Sequence, residues 1–196
     1  MKKGTVILIS VVALVAIMAL WAVSAYNNLV VAQESVTTEW ANVESQYQRR
    51  ADLIPNLVST VKGYAAHEQE TFEAVVSARA KATQMTVDAD NLTPEKLQEF
   101  QAAQGEVGAA LGRLLMITEN YPELKANQNF MALQEQLEGT ENRIQVARQK
   151  FNLTAKTYNT TIRRFPTNIL AGMFGFDAKA YFEAEIGAEK APTVEF

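Results

Sequence analysis

One histidine and no cysteine limit the chemistry open to this chain of 196 residues. His67-Glu68 begins like the zincin helix His-Glu-x-x-His, but Thr71 stands where the second imidazole ligand would be needed. A carboxylate-bridged di-metal bundle requires Glu-x-x-His on two helices, and one histidine cannot supply both. Serine nucleophiles fare no better: no Gly-x-Ser-x-Gly turn is present, and one imidazole is the sole base of its kind. The absence of cysteine excludes thiol nucleophiles, Cys-ligated zinc, iron–sulfur clusters, disulfides and a cysteine-linked lipid anchor. No catalytic residue, metal ion or cofactor is expected, and His67 reads as a surface or hydrogen-bonded residue near the middle of a helix.

More informative are five charges that fall on positions the apolar pattern marks as inward: Arg50, Glu68, Arg79, Glu141 and Arg148. A lone buried charge is costly, so each must pair, reach water or line a wet cavity. They form either an Arg/Glu layer that fixes helix register or a carboxylate-binding pocket built by Arg50, Arg79 and Arg148. Val75-x-x-Ala78-Arg79 and Ile144-x-x-Ala147-Arg148 share a local pattern too short to establish an internal repeat.

The elements that must hold these charges begin with an anchor. Gly4 to Ala25 carries no charge over 22 residues, which as a helix spans roughly 33 Å and matches a hydrocarbon core of about 30 Å. Val23-Ser24-Ala25 would suit a signal peptidase, but the apolar region of a signal peptide is only ~7–15 residues long, so an uncleaved anchor is expected. Lys2 and Lys3 precede the span and no basic residue follows until Arg49, which puts the N-terminus in the cytoplasm and the rest outside an inner membrane. The net charge of -4 with no basic run argues against nucleic acid.

Beyond the span, Leu29, Val36, Trp40, Val43 and Tyr47 recur at three and four residues, the seam of a packed helix that Pro55 is expected to break. Leu57, Val61, Tyr64, Phe72, Val75 and Val76 form a second stripe, ending near Met85 in the loop TVDADN. Thr93-Pro94-Glu95 starts a third helix with a hydroxyl cap, a first-turn proline and a carboxylate at the positive helix end. It carries Leu97, Phe100, Gln104, Val107, Leu111, Leu114 and Thr118 to Tyr121-Pro122, with Gly105, Gly108 and Gly112 expected to admit a neighbouring helix closely. A fourth helix carries Phe130, Leu133, Leu137, Ile144, Phe151, Tyr158 and Phe165 to Pro166. The fold class is all-α: an N-terminal transmembrane helix (1–25) continuing into an antiparallel four-helix-type bundle (26–165), then a short apolar tail (166–196).

The tail packs Ile169, Leu170, Met173, Phe174, Phe176, Tyr181 and Phe182 into a short, glycine-interrupted stretch that cannot cross a membrane. It either folds back to close the bundle core or forms an exposed patch for a partner.

Arg49 to Glu68 (RRADLIPNLVSTVKGYAAHE), Tyr121 to Ile144 (YPELKANQNFMALQEQLEGTENRI), Phe165 to Phe176 (FPTNILAGMFGF) and the ending Pro192-Thr193-Val194-Glu195-Phe196 resemble the LemA family. The resemblance runs from Tyr26-Asn27 onward. It implies a membrane anchor followed by a helical bundle, without an established enzymatic activity. It also implies partners among membrane or envelope proteins, including a membrane zinc metalloprotease, and a role in membrane protein quality control or stress.

The residues and the resemblance together give a single-pass scaffold or adaptor, held in the lipid bilayer by residues 4–25, with a second copy of the chain among the candidate partners. The alternative is a periplasmic four-helix ligand sensor. Only Met1, Lys2 and Lys3 precede the span, so such a sensor would signal through a separate subunit.

Overall fold

A computed structural model describes residues 3–183, which form six α-helices and a short 3-10 turn. The first, α1 (Lys3–Lys62), is one unbroken helix of 60 residues, roughly 90 Å long at ~1.5 Å per residue. None of the most apolar 18-residue window near its N-terminus is buried against the rest of the protein. Further along, Val36, Trp40, Val43, Tyr47, Arg50, Ile54, Leu57 and Val61 are all buried, a strict alternation of four and three that makes a heptad seam.

Pro55 does not break this helix, contrary to the sequence expectation. Proline lacks the N–H that would satisfy the carbonyl of Ala51, four residues earlier. Arg79 Nε donates to that oxygen at 2.7 Å, so the bond that proline removes is replaced from a neighbouring helix. The helix ends instead at Lys62, and a turn leads to α2 (Gln69–Gln84). His67 lies exposed in that turn and not within a helix. Tyr64 and Val76 are also exposed, which removes them from the second stripe.

After α2 the TVDADN segment is a loop with a 3-10 turn at Ala89–Asn91, and Val87 is buried within it. Its carbonyl accepts the indole N–H of Trp40 at 3.1 Å. The third long helix, α3 (Pro94–Thr118), starts as expected, with the Thr93 hydroxyl accepting the Lys96 backbone N–H at 3.3 Å. A single turn, α4 (Pro122–Lys125), leads to α5 (Gln128–Arg163), whose first turn is capped by Asn127 Oδ1. Because the residue before a proline is disfavoured in the α region, α5 stops at Arg163, short of Phe165-Pro166. Phe165 is 80% exposed and does not belong to the α5 seam. The tail then forms α6 (Thr167–Phe174), ended by Gly175 in the left-handed conformation at φ 73°.

Helices α1, α2, α3 and α5 run up, down, up and down, with α5 along α1 and α2 against α3. Their lengths differ, and that sets the core. At the end far from the apolar segment, four helices enclose Ile54, Leu57, Val61, Phe72, Val107, Leu114 and Phe130. At the near end α2 does not reach and α3 contributes only Leu97 and Phe100 from its first turns, so α1 and α5 bury Leu29, Val36, Trp40, Phe151 and Tyr158 with help from the loop and the tail.

Candidate functional site

Arg50 stands where the two cores meet. Tyr47 of α1, Phe100 of α3 and Ile144 of α5 belong to the near core, while Ile54, Ala103 and Leu137 of the same helices belong to the far one. The Arg50 side chain is 5% exposed and fans out to both partner helices. Nη1 meets Glu141 Oε1 at 3.0 Å, and Nη2 donates to the Gln104 carbonyl at 2.9 Å and to its Oε1 at 2.7 Å. The guanidinium also lies 5.1 Å from the Tyr47 ring centroid. A planar fork can hold three helices in this way where an ammonium cannot. Glu141 is 41% exposed, so water shares the solvation of its charge.

The remaining arginines do separate work. Arg79, half-buried, serves the Ala51 carbonyl, and it lines a cleft of about 180 Å³ together with Arg50, Gln104 and Glu44. Burial pushes the Glu44 carboxyl above the usual carboxylate range, so the cleft already holds an acid of its own. Arg148 lines a second cleft with Arg50 and Glu141, and the floor of that cleft includes Gly105 and Gly108. No helix packs closely on those glycines or on Gly112. A Cβ at any of the three would meet nothing within 4 Å, which corrects the expectation of a close helix contact. Glu68 lies apart from the other four charges, near the far turn, where it accepts the Tyr121 hydroxyl at 3.3 Å. The structure therefore brings Arg50 to Glu141 directly, sets Arg79 and Arg148 in neighbouring clefts, and leaves Glu68 elsewhere. Among the described residues no cluster of three or more His, Asp or Glu side chains is placed to hold a metal ion.

Two residues that sequence reasoning missed hold the tail. Asn159 Nδ2 donates to the Lys179 carbonyl at 2.8 Å and its Oδ1 accepts the Lys179 N–H at 2.8 Å. One heptad earlier, Asn152 makes the same pair of bonds with the Phe182 carbonyl and N–H, both at 2.9 Å. Each amide substitutes for the backbone of an adjacent strand, so the N–H and carbonyl groups of Lys179 and Phe182 are paired although the extended segment lies on a helix. Arg148 completes the clasp by donating to the Glu183 carbonyl at 3.1 Å and covering the Phe182 ring at 4.8 Å. The available signal was a pair of asparagines seven residues apart beside the seam residues Phe151 and Tyr158.

The tail divides into two parts. Phe182 is 6% exposed, stacked on Trp40 at 5.9 Å and edge-on to Phe151 at 5.4 Å, and closes the near core. Phe176 is partly buried against the same core, and Leu170 is half-buried. Ile169, Met173, Phe174 and Tyr181 remain exposed. The motif at residues 192–196, like Lys2, lies outside the described residues.

An antiparallel helical bundle built on the continuation of an N-terminal helix long and apolar enough to cross a membrane defines an all-α class of protein. The model of the LemA family matches residues 39–196, and the chain belongs to that family. It is 30% identical over 179 residues to magnetosome protein MamQ 2 of Paramagnetospirillum magneticum, covering 81% of this chain and 64% of that relative. Magnetosome protein MamQ of Magnetospirillum gryphiswaldense is 30% identical over 178 residues, covering 80% of this chain and 64% of its own length. Protein LemA of Metamycoplasma hominis is 23% identical over 158 residues, covering 81% of this chain and 68% of that protein. The chain thus spans under two thirds of the MamQ relatives.

Proposed function

We propose that this protein is a membrane-anchored scaffold that presents a rigid helical bundle to other proteins of the membrane or envelope and performs no catalysis itself. The observation that carries this reading is α1, in which an apolar, unburied span and the heptad seam of the bundle form one uninterrupted helix. A rod of that kind fixes the bundle's distance and direction from the bilayer, as a scaffold requires. Residues 4–25 cross the membrane, the bundle lies on the side away from Lys2 and Lys3, and its partners are neighbouring membrane proteins, a metalloprotease or a further copy of the chain. Relatives bearing the magnetosome name and one bearing only the family name share this stretch, consistent with one architecture serving different assemblies.

A ligand sensor receives less support. Both terminal nitrogens of Arg50 are occupied by Glu141 and Gln104, Arg79 Nε by a backbone carbonyl, and Arg148 by the tail. A carboxylate meeting Arg50 would have to displace bonds that hold the fold. The test is photo-crosslinking in native membranes from exposed bundle positions such as Val146 and Leu153. Discrete protein adducts support the scaffold. Adduct-free membranes, with tight binding of small carboxylates by the purified protein, would replace it with the sensor.

A further inference from the structure

The exposed apolar face of α6 is not accounted for by the core. Ile169 and Met173 stand one helical turn apart, 54% and 73% exposed, with Phe174 at 56% beside them. Phe165, just before the helix, is 80% exposed. On the opposite face Ala171 is buried, and Leu170, between Met173 and Phe174 around the helix, is half-buried, so α6 is seated on the bundle through Ala171 and leaves most of its apolar side chains outward.

Its position identifies what covers that side. Phe174 and Phe176 pack edge-on against Tyr26, with ring centroids 4.9 and 5.7 Å away. Tyr26 directly follows the uncharged run that ends at Ala25, and Trp21 lies just over one turn before it, 41% exposed. Tryptophan and tyrosine collect where a transmembrane helix passes through the headgroups. Arg163 and Arg164, both exposed, precede Phe165 and can meet lipid phosphates.

We infer that α6, with Phe165, is a second membrane contact: a short interfacial helix lying in the headgroup layer of the monolayer from which α1 emerges. This rests on the reading of residues 4–25 as a membrane span, and it assigns the exposed part of the tail to lipid instead of a protein partner. A lone helix would be free to tilt and rotate about its exit point. A helix fixed to the bundle and lying in the same interface sets the angle at which the bundle stands.

The chain contains no cysteine, so a single introduced thiol is a unique label site. Met173→Cys, Leu14→Cys in the span and Met116→Cys near the far end are each labelled with a polarity-sensitive fluorophore. All three positions are exposed on the protein, so none of the labels enters the core. Full-length protein is reconstituted in phosphatidylethanolamine/phosphatidylglycerol vesicles whose lipids carry bromine near the glycerol end of their acyl chains, to probe position 173, and in a parallel set near the chain terminus, to probe position 14 at the middle of the span. The expected result is emission lowered about twofold at positions 14 and 173, with position 116 unchanged. Quenching at 14 with position 173 behaving like 116 overturns the inference and leaves the anchor standing. No quenching at 14 or 173 removes both. A label at 173 shielded from water but unquenched by lipid, or crosslinking between chains through Cys at 173, assigns the face to a protein or a second copy and overturns the inference as well.

Discussion

Pro55 and Arg79 illustrate how a single residue's defect is met by another's surplus. A mid-helix proline costs about 3 kcal/mol, largely through the carbonyl it leaves unpaired and the clash of its ring. Here the carbonyl of Ala51 receives the Arg79 guanidinium. Pro55→Ala restores the helical donor and should raise the urea midpoint by the equivalent of about 1–3 kcal/mol. Arg79→Ala should cost about 1–2 kcal/mol alone and distinctly less beside Pro55→Ala. A double-mutant cycle measures that coupling, and strict additivity would mean that the two residues do not share the carbonyl. Tyr158 gives a pH-dependent test. Its hydroxyl is buried with no hydrogen-bond partner among the described residues, and burial, then the charge of Asp177, pushes its pKa up to about 12. The unfolded chain releases that proton near pH ~10, so the folded state loses stability relative to it as pH rises from about 10 toward 12 and is unaffected below. Tyr158→Phe should flatten that alkaline loss, and at neutral pH should be neutral or stabilising by about 1 kcal/mol. Denaturant melts at pH 8 and pH 11 check both parts.

At the scale of elements, the near half of the bundle depends on the tail because α3 covers Trp40 from one side only, through Phe100, and Phe182 of the tail packs on both Trp40 and Phe151. Asn159→Ala removes the partners of the Lys179 N–H and carbonyl in a buried setting, at a cost of about 2–3 kcal/mol. Amide exchange should then accelerate first at residues 179–182, with the four-helix end unchanged; uniform acceleration would show that the tail and bundle unfold as one unit. Much of this level was legible beforehand. The heptad of α1, the Thr93 cap and the long fourth helix follow from local spacing, and the same spacing runs through Arg50, whose side chain is buried. What could not be read were features that depend on distant chain. Whether Pro55 breaks a helix is decided by an arginine 24 positions later in sequence, and the open side of Gly105 and Gly108 by a helix that packs elsewhere. The asparagine clasp leaves only two asparagines one heptad apart as its trace, and nothing in that spacing says which distant backbone they bind.

For the whole molecule, length and composition identified an apolar segment too long for an ordinary signal peptide, and the structure gives that segment no protein to bury it. Everything proposed for function depends on its staying attached to the bundle. The most direct measurement is peptide mapping of the protein recovered from membranes washed with alkaline carbonate. Peptides from residues 4–25 should be found in the washed membrane pellet, joined through Tyr26 to the bundle sequence. Deleting residues 4–25 should release into the soluble fraction a protein whose helix content falls only by that deleted part of α1. A protein that begins after Ala25 and washes off the membrane would contradict the account.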